Sequence, residues 1–171
     1  MNLRDHIRKV QDFPKKGIVF RDITTVLKDP KGLHAAVHGM VELARPLEFD
    51  AVLGPESRGF IFGMPVALEL GKGFIPIRKD GKLPAKTRRK EYELEYGSAA
   101  IEIHEDAIAK GGKYVIVDDL LATGGTARAS ASLVGDMGGA VIAHIFFIEL
   151  KDLGGRNALS GQEVRSLIEY N

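Results

Sequence analysis

The stretch VIVDDLLATGGT (residues 115–126) runs an apolar strand into two carboxylates and then into small residues that open a helix. Ala122, Thr123, Gly124, Gly125 and Thr126 carry little side-chain bulk. Successive backbone N–H groups can therefore wrap an anion at the positive end of the helix that follows. Thr123 and Thr126 add hydroxyl donors. Asp118 and Asp119 repel a bare phosphate, but they accept hydrogen bonds from a vicinal diol and can hold it beside that phosphate. A ligand with a phosphate at one end and two hydroxyls close by is a ribose 5-phosphate. A strand-end Asp pair followed by a glycine turn is the plainer account, and spacing alone leaves both open. There is no GxxxxGK[ST]; Gly71-Lys72-Gly73 precedes a strand and lacks a third glycine. P-loop ATP hydrolysis and Rossmann-type NAD binding are thus disfavoured.

Four other segments have chemical potential. Glu56-Ser57-Arg58-Gly59 follows an apolar run, and Gly59 permits close backbone approach. Arg58 places a cation at a helix start, where the dipole disfavours it, so a plain surface charge is the weaker account. Residues 78–90 hold seven basic residues and one acidic one, a local charge of +6. Alone this is a solvated loop. A connection of about twenty residues in a small domain is more often a lid or binding loop, and Arg78, Lys79 and Lys82 are placed to meet an anionic leaving group. YELEYG (residues 92–97) alternates aromatic or apolar residues with Glu93 and Glu95, as in a strand with one carboxylate face. Val19-Phe20-Arg21 reads as a buried strand with an exposed arginine. His34 and His38 stand at i, i+4 without the glutamate of a zinc helix, and are read as surface or packing residues.

These residues need a scaffold. After a polar, amphipathic start at residues 2–10, DFPKKGI (residues 12–18) is a loop feeding an apolar run at 18–27. Asp29 caps a helix that begins at Pro30, with Leu33, Ala36, Val37, Met40, Val41 and Ala44 on its buried face. Strand-like segments at 51–53, 74–77, 113–117 and 140–148 alternate with helical stretches near 60–70 and 125–137. That pattern gives an α/β fold: a mostly parallel twisted sheet with helices on both faces, binding ligands beyond the carboxyl ends of its strands. Of four glycine doublets, those at 111–112, 138–139 and 154–155 are read as turns; the doublet at 124–125 is the exception described above.

Composition sets the outer limits. A length of 171 residues predicts one domain. The chain is 44% hydrophobic and 27% charged, as in folded globular proteins. With 24 Lys plus Arg against 23 Asp plus Glu, the net charge of +1 argues against nucleic acid or membrane as a partner. The absence of cysteine removes disulfides, thiolate metal sites and cysteine nucleophiles. The charged start MNLRDHIRKV and the lack of any run of about 18 apolar residues lead us to expect a cytoplasmic protein.

Taken together, these motifs resemble the type I phosphoribosyltransferase family. VIVDDLLATGGT is similar to its phosphoribosyl pyrophosphate motif, in the form found in the adenine-using branch. DFPKKGIVFRDIT, GPESRGFIFG, PIRKDGKLPAKT, YELEYG and LIEY follow the family pattern in order, over nearly the whole chain. The resemblance implies a single phosphoribosyltransferase domain over 1–171, with a short N-terminal base-binding segment at about 1–28 and a flexible hood at about 78–97. It implies purine salvage: Mg2+-dependent transfer of phosphoribose from 5-phosphoribosyl 1-pyrophosphate to N9 of adenine, giving AMP and pyrophosphate. Magnesium would be carried by substrate oxygens and water, with no protein metal ligand, and the enzyme would be a homodimer.

The same resemblance assigns roles. Asp118 and Asp119 hold the ribose diol, and Ala122, Thr123, Gly124, Gly125 and Thr126 the 5-phosphate. Glu56 and Ser57 meet the pyrophosphate, often through a cis peptide, with Arg58 near the base and its reacting end. Arg78 and Lys82 face the departing pyrophosphate, Arg78 either within its own subunit or across a dimer interface, while Arg88, Arg89 and Lys90 are solvated in a mobile part of the hood. Glu95 is the acid/base candidate and Tyr96 helps to close the site. Phe20 and Leu120 would stack on the two faces of adenine, while backbone groups of Val19 and Arg21 meet its edge. Two alternatives remain at this stage: a phosphoribosyltransferase for 6-oxopurines, and a regulator that binds phosphoribosyl pyrophosphate without chemistry.

Overall fold

Valine, isoleucine and leucine crowd the segments at 51–53, 113–117 and 140–148, and strands apolar on both faces must be covered on both. The computed structural model, which describes residues 2–93 and 97–171, places these segments at the centre of a seven-stranded sheet. The chain divides into two compact units, one up to Gly39 and one from Met40 onward.

In the N-terminal unit the polar start splits into α1 (Leu3–His6), capped by Asn2, and β1 (Arg8–Gln11). β1 pairs antiparallel with β2 (Val19–Asp22), with Val10 opposite Phe20. The connecting loop contains a cis Phe13–Pro14 bond, and Phe13 packs edge-on against Phe20 at 5.2 Å between centroids. The apolar run at 18–27 is not one element. Asp22 accepts the Thr24 N–H at 2.9 Å and its hydroxyl at 2.7 Å, which ends the strand and starts α2 (Thr24–Leu27). Those hydrogen bonds hold the Asp22 carboxyl below its ordinary range. α3 (Pro30–Ala44) begins as the sequence predicts, with the Asp29 carboxylate accepting the N–H groups of Lys31 and Gly32 at 3.3 and 3.1 Å.

The second unit follows the strand–helix alternation. β3 (Ala51–Pro55), α4 (Arg58–Glu69) and β4 (Gly73–Lys79) come first, then β5 (Thr87–Glu93) and β6 (Ser98–His104). β7 (Lys113–Leu121), α5 (Gly125–Asp136) and β8 (Ala140–Leu150) follow. A 3-10 turn at Lys151–Leu153, α6 (Gly155–Ala158) and β9 (Glu163–Tyr170) complete it. The strand order is β5-β6-β4-β3-β7-β8-β9; β4, β3, β7, β8 and β9 are mutually parallel, while β6 and β5 add antiparallel at one edge. Period-two alternation sends Leu53, Tyr114 and Ile116 into a cluster with Leu133 and Val134 of α5. On α4, Phe62 stacks on Phe147 of β8 at 4.9 Å. Both faces are thereby covered.

One expectation needs correction. The strand expected at 113–117 continues through Asp118, Asp119 and Leu120 to Leu121, because β8 pairs beside it as far as Leu121 opposite Glu149. Arg88 and Arg89, expected to be solvated, are exposed, and with Lys90 they stand on β5. There Arg89 pairs with Asp80 and Glu91 at 2.9 and 2.7 Å, and Lys90 with Asp136 at 2.7 Å.

Candidate active site

β3 and β7 are parallel neighbours, Leu53 opposite Ile116, so the connections leaving their carboxyl ends open on one edge of the sheet. Three glycines set how closely α4 can follow. A methyl on Gly59 would lie 3.0 Å from both the Val117 carbonyl and Asp118 Oδ1, and 2.8 Å from Pro55. Methyls on Gly54 and Gly63 would each reach the Phe74 ring at 2.7 Å. With no Cβ at position 59, the first turn of α4 lies against the end of β7. Arg58 Nε then meets Asp119 Oδ2 at 2.9 Å. The Glu56–Ser57 peptide is cis, as the family resemblance implies.

The two aspartates lack enough donors for their burial. Asp119 is 5% exposed, and its own N–H donates to Asp118 Oδ1 at 2.8 Å. Burial pushes the Asp118 carboxyl well above the ordinary carboxylate range, and the neighbouring Asp119 charge pushes it further. Burial also raises Asp119; the Arg58 guanidinium opposes that rise without cancelling it. Such a pair gains from any ligand that brings hydroxyl donors.

Beyond Leu121 the backbone turns through Gly124 at φ 81°, a left-handed conformation suited to glycine, and enters α5. The first N–H groups of α5 have no intrahelical acceptor, so residues 122–126 present donors beside the two carboxylates. Tyr92 on β5 reaches the same turn, its hydroxyl 3.2 Å from Thr126 Oγ1. The result is a pocket of about 830 Å3 lined by Glu56, Ser57, Arg58, Glu93, Phe146 and every residue of 118–127.

Among the expected site residues, Glu56, Ser57, Arg58, Asp118, Asp119, Leu120, Ala122, Thr123, Gly124, Gly125 and Thr126 thus converge on one cavity. Arg78 is engaged beside it. Its Nε donates to Glu56 Oε2 at 2.8 Å and the Lys79 N–H donates to the same oxygen at 3.1 Å, which holds the Glu56 carboxyl below its ordinary range. Lys82 is exposed, and its backbone N–H is tied to the buried Glu102 at 2.8 Å. Val19, Phe20 and Arg21 form β2 of the N-terminal unit. Glu95 and Tyr96 lie outside the described residues. Sequence reasoning missed Tyr92, Glu93 and Phe146 as neighbours of the pocket. Phe146 is opposite Asp118 in the sheet, a relation that only strand register reveals.

This geometry has known counterparts. A model of the phosphoribosyl transferase domain matches residues 24–161. The adenine phosphoribosyltransferase of Clostridium perfringens is 57% identical over 171 residues, covering 100% of this chain and 99% of its own. That of Kosmotoga olearia is 53% identical over 170 residues, covering 99% and 100%. The crystal structure of adenine phosphoribosyltransferase from Thermoanaerobacter pseudethanolicus superposes with a TM-score of 0.95 at 52% identity, over 98% of both chains. The Saccharomyces cerevisiae enzyme, crystallised with an imino-altritol bisphosphate and adenine, gives 0.90 at 37% identity over 96% of both. A pocket built on a strand-end Asp pair and a glycine-led helix start, within a chain so similar along its whole length, shows that the protein belongs to the phosphoribosyltransferase family, in its adenine phosphoribosyltransferase branch.

Proposed function

We propose that this chain transfers phosphoribose from 5-phosphoribosyl 1-pyrophosphate to N9 of adenine, releasing AMP and pyrophosphate, as a purine-salvage enzyme. The observation that carries the proposal is the meeting of two donor-poor carboxylates, Asp118 and Asp119, with the N–H-rich turn at 122–126 in one pocket. The turn takes the 5-phosphate and the carboxylates take the ribose hydroxyls, which orients the anomeric carbon toward Arg58. As the bond to pyrophosphate breaks, positive character grows on the sugar and negative charge on the leaving group. Glu56 and Ser57 border the leaving group, Arg78 and Lys82 supply cations to it, and the carboxylates balance the sugar.

Adenine is held between Phe20 and Leu120, with backbone groups of Val19 and Arg21 at its edge; Glu95 handles the proton near the imidazole nitrogens and Tyr96 closes the site. A carbonyl facing position 6 suits the adenine amino group and is left unpaired by a 6-oxopurine. Adenine in the yeast relative's crystal supports this choice of base.

Magnesium fits the site as an ion carried by the substrate. No group of three or more His, Cys, Asp or Glu side chains is arranged to hold a metal among the described residues, and Mg2+ keeps waters and substrate oxygens readily. Held through substrate oxygens and water, it would neutralise diphosphate charge. Ile61, Met64 and Leu68, exposed at helical spacing on α4, support a homodimer. No helix of the described residues is long and apolar enough to cross a membrane, in keeping with the proposed cytoplasmic location.

The test is pyrophosphate release from phosphoribosyl pyrophosphate and Mg2+ with each purine in turn. Release with adenine, and little with hypoxanthine or guanine, is expected; preference for a 6-oxopurine would overturn the assignment of the base.

A further inference from the structure

The doublet Gly154-Gly155 was read from the sequence as a turn, yet Gly155 is buried against the phosphate loop. A methyl on Gly155 would overlap the Ala122 carbonyl and come within 2.7 Å of the Leu121 side chain. One on Gly124 would lie 2.6 Å from the Gly155 carbonyl oxygen and 3.0 Å from Ala158 Cβ. Backbone therefore packs directly on backbone, and α6 forms the outer wall of the loop that opens α5.

A single side chain ties that wall down. Arg156, adjacent to Gly155, donates from Nε to Glu149 Oε1 and from Nη2 to Glu149 Oε2, both at 2.7 Å, and from Nη1 to the Val164 carbonyl at 3.0 Å. Glu149 is 2% exposed, and its Oε2 also accepts the Ser166 hydroxyl at 2.7 Å. Two parallel N–H···O bonds fix the guanidinium in angle as well as position. Glu149 also stands opposite Leu121 in the sheet, level with the point where the phosphate loop begins. Neither Arg156 nor Glu149 lines the pocket.

We propose that the Glu149–Arg156 fork is a positioning device for the phosphate loop: by setting α6 against Ala122 and Gly124 it fixes where the loop's N–H groups aim. The inference rests on the assignment of residues 122–126 to the 5-phosphate. Backbone donors have no rotamers with which to correct a displaced loop, and hydrogen bonds weaken steeply with misalignment. Loss of the fork therefore weakens the phosphate end of the substrate selectively and leaves the base end unaffected.

The test compares Arg156→Ala and Arg156→Lys with Met40→Ala, a buried truncation on α3 that lowers stability without touching the loop. Arg156→Ala should raise KM for phosphoribosyl pyrophosphate about tenfold, or ~1.4 kcal/mol. Its KM for adenine and its kcat should stay within about twofold. Arg156→Lys keeps the charge but loses the fork, and should recover less than half of that loss in logarithmic terms. Millimolar guanidinium should partly restore Arg156→Ala and leave Met40→Ala unchanged. An unchanged KM for phosphoribosyl pyrophosphate in Arg156→Ala, or equal rises for both substrates as in a merely destabilised protein, would overturn the proposal. Calorimetric titration with ribose 5-phosphate separates the two layers. Failure of the unmodified protein to bind it removes the loop assignment and the fork's role together, whereas equal binding by the unmodified protein and Arg156→Ala removes only the fork.

Discussion

Two arginine–carboxylate pairs stand near the carboxyl ends of neighbouring parallel strands, and they differ in how well the carboxylate is supplied. Glu149 on β8 has a donor for each oxygen: both arms of Arg156 and the Ser166 hydroxyl. Those bonds outweigh its desolvation and hold the carboxyl below the ordinary range. On β7, Asp119 has Arg58 and the backbone N–H groups of Asp119 and Leu120, and Asp118 has its neighbour's N–H, yet for both, burial wins. A carboxylate whose lone pairs are filled from within the chain stabilises the fold. One whose lone pairs wait for an outside donor costs stability until a ligand arrives, the usual relation between a binding site and its scaffold.

The comparison fails if the two sites respond alike to losing charge. The largest expected effect is on catalysis: Asp118→Asn with Asp119→Asn should lower kcat/KM for phosphoribosyl pyrophosphate by about three orders of magnitude, since two charge-assisted hydrogen bonds are each worth about 1.5–3 kcal/mol. Unaltered affinity for the ribose in that double variant would remove the diol assignment.

Next comes Glu149→Gln, expected to reduce unfolding free energy at neutral pH by about 2 kcal/mol in urea titrations. That is below the figures for fully buried pairs because Arg156 is 45% exposed. Because the folded Glu149 carboxyl is lowered, its stabilisation is present above the ordinary value of 4.5 and is lost as pH falls through the lower folded value. The gap between the two proteins should therefore close on acidification.

Smallest, and opposite in sign, is Asp118→Asn alone, expected to raise Tm at neutral pH by about 2–4 °C. The folded Asp118 carboxyl is raised, so its favourable contribution is complete below the ordinary value of 3.8 and is lost as pH climbs through the raised one. The amide's advantage should thus shrink as pH is lowered, and a Tm below that of the parent at neutral pH would break the contrast.

The grouping of Asp118 and Asp119 with the turn after them could be read in the sequence, and the Glu149–Arg156 pair could not. Asp118, Asp119 and the small residues after them are contiguous, so their joint chemistry survives without a fold. Asp29 as a helix cap and Gly59 as a point of close approach are equally local, and both hold. Glu149 and Arg156 are seven residues apart, and the 3-10 turn and α6 bring them together beside β9. The extension of β7 through Leu121 depends on pairing with β8, a long-range event. The basic run at 78–90 shows the converse error. Its charge of +6 is counted along the chain, whereas in space Glu56, Glu91 and Asp136, all outside the run, answer Arg78, Arg89 and Lys90.

The contact between the Tyr92 hydroxyl and Thr126 has a practical use. The chain has four tyrosines and no tryptophan, so its ultraviolet emission is phenolic, with no indole to mask it. One of those phenols is hydrogen-bonded to the turn proposed to grip the 5-phosphate. A ligand that draws the Thr126 hydroxyl toward itself would change the partner of that phenol. Titration with a phosphate ligand should therefore change the tyrosine emission, and a Tyr92→Phe variant should lose that change.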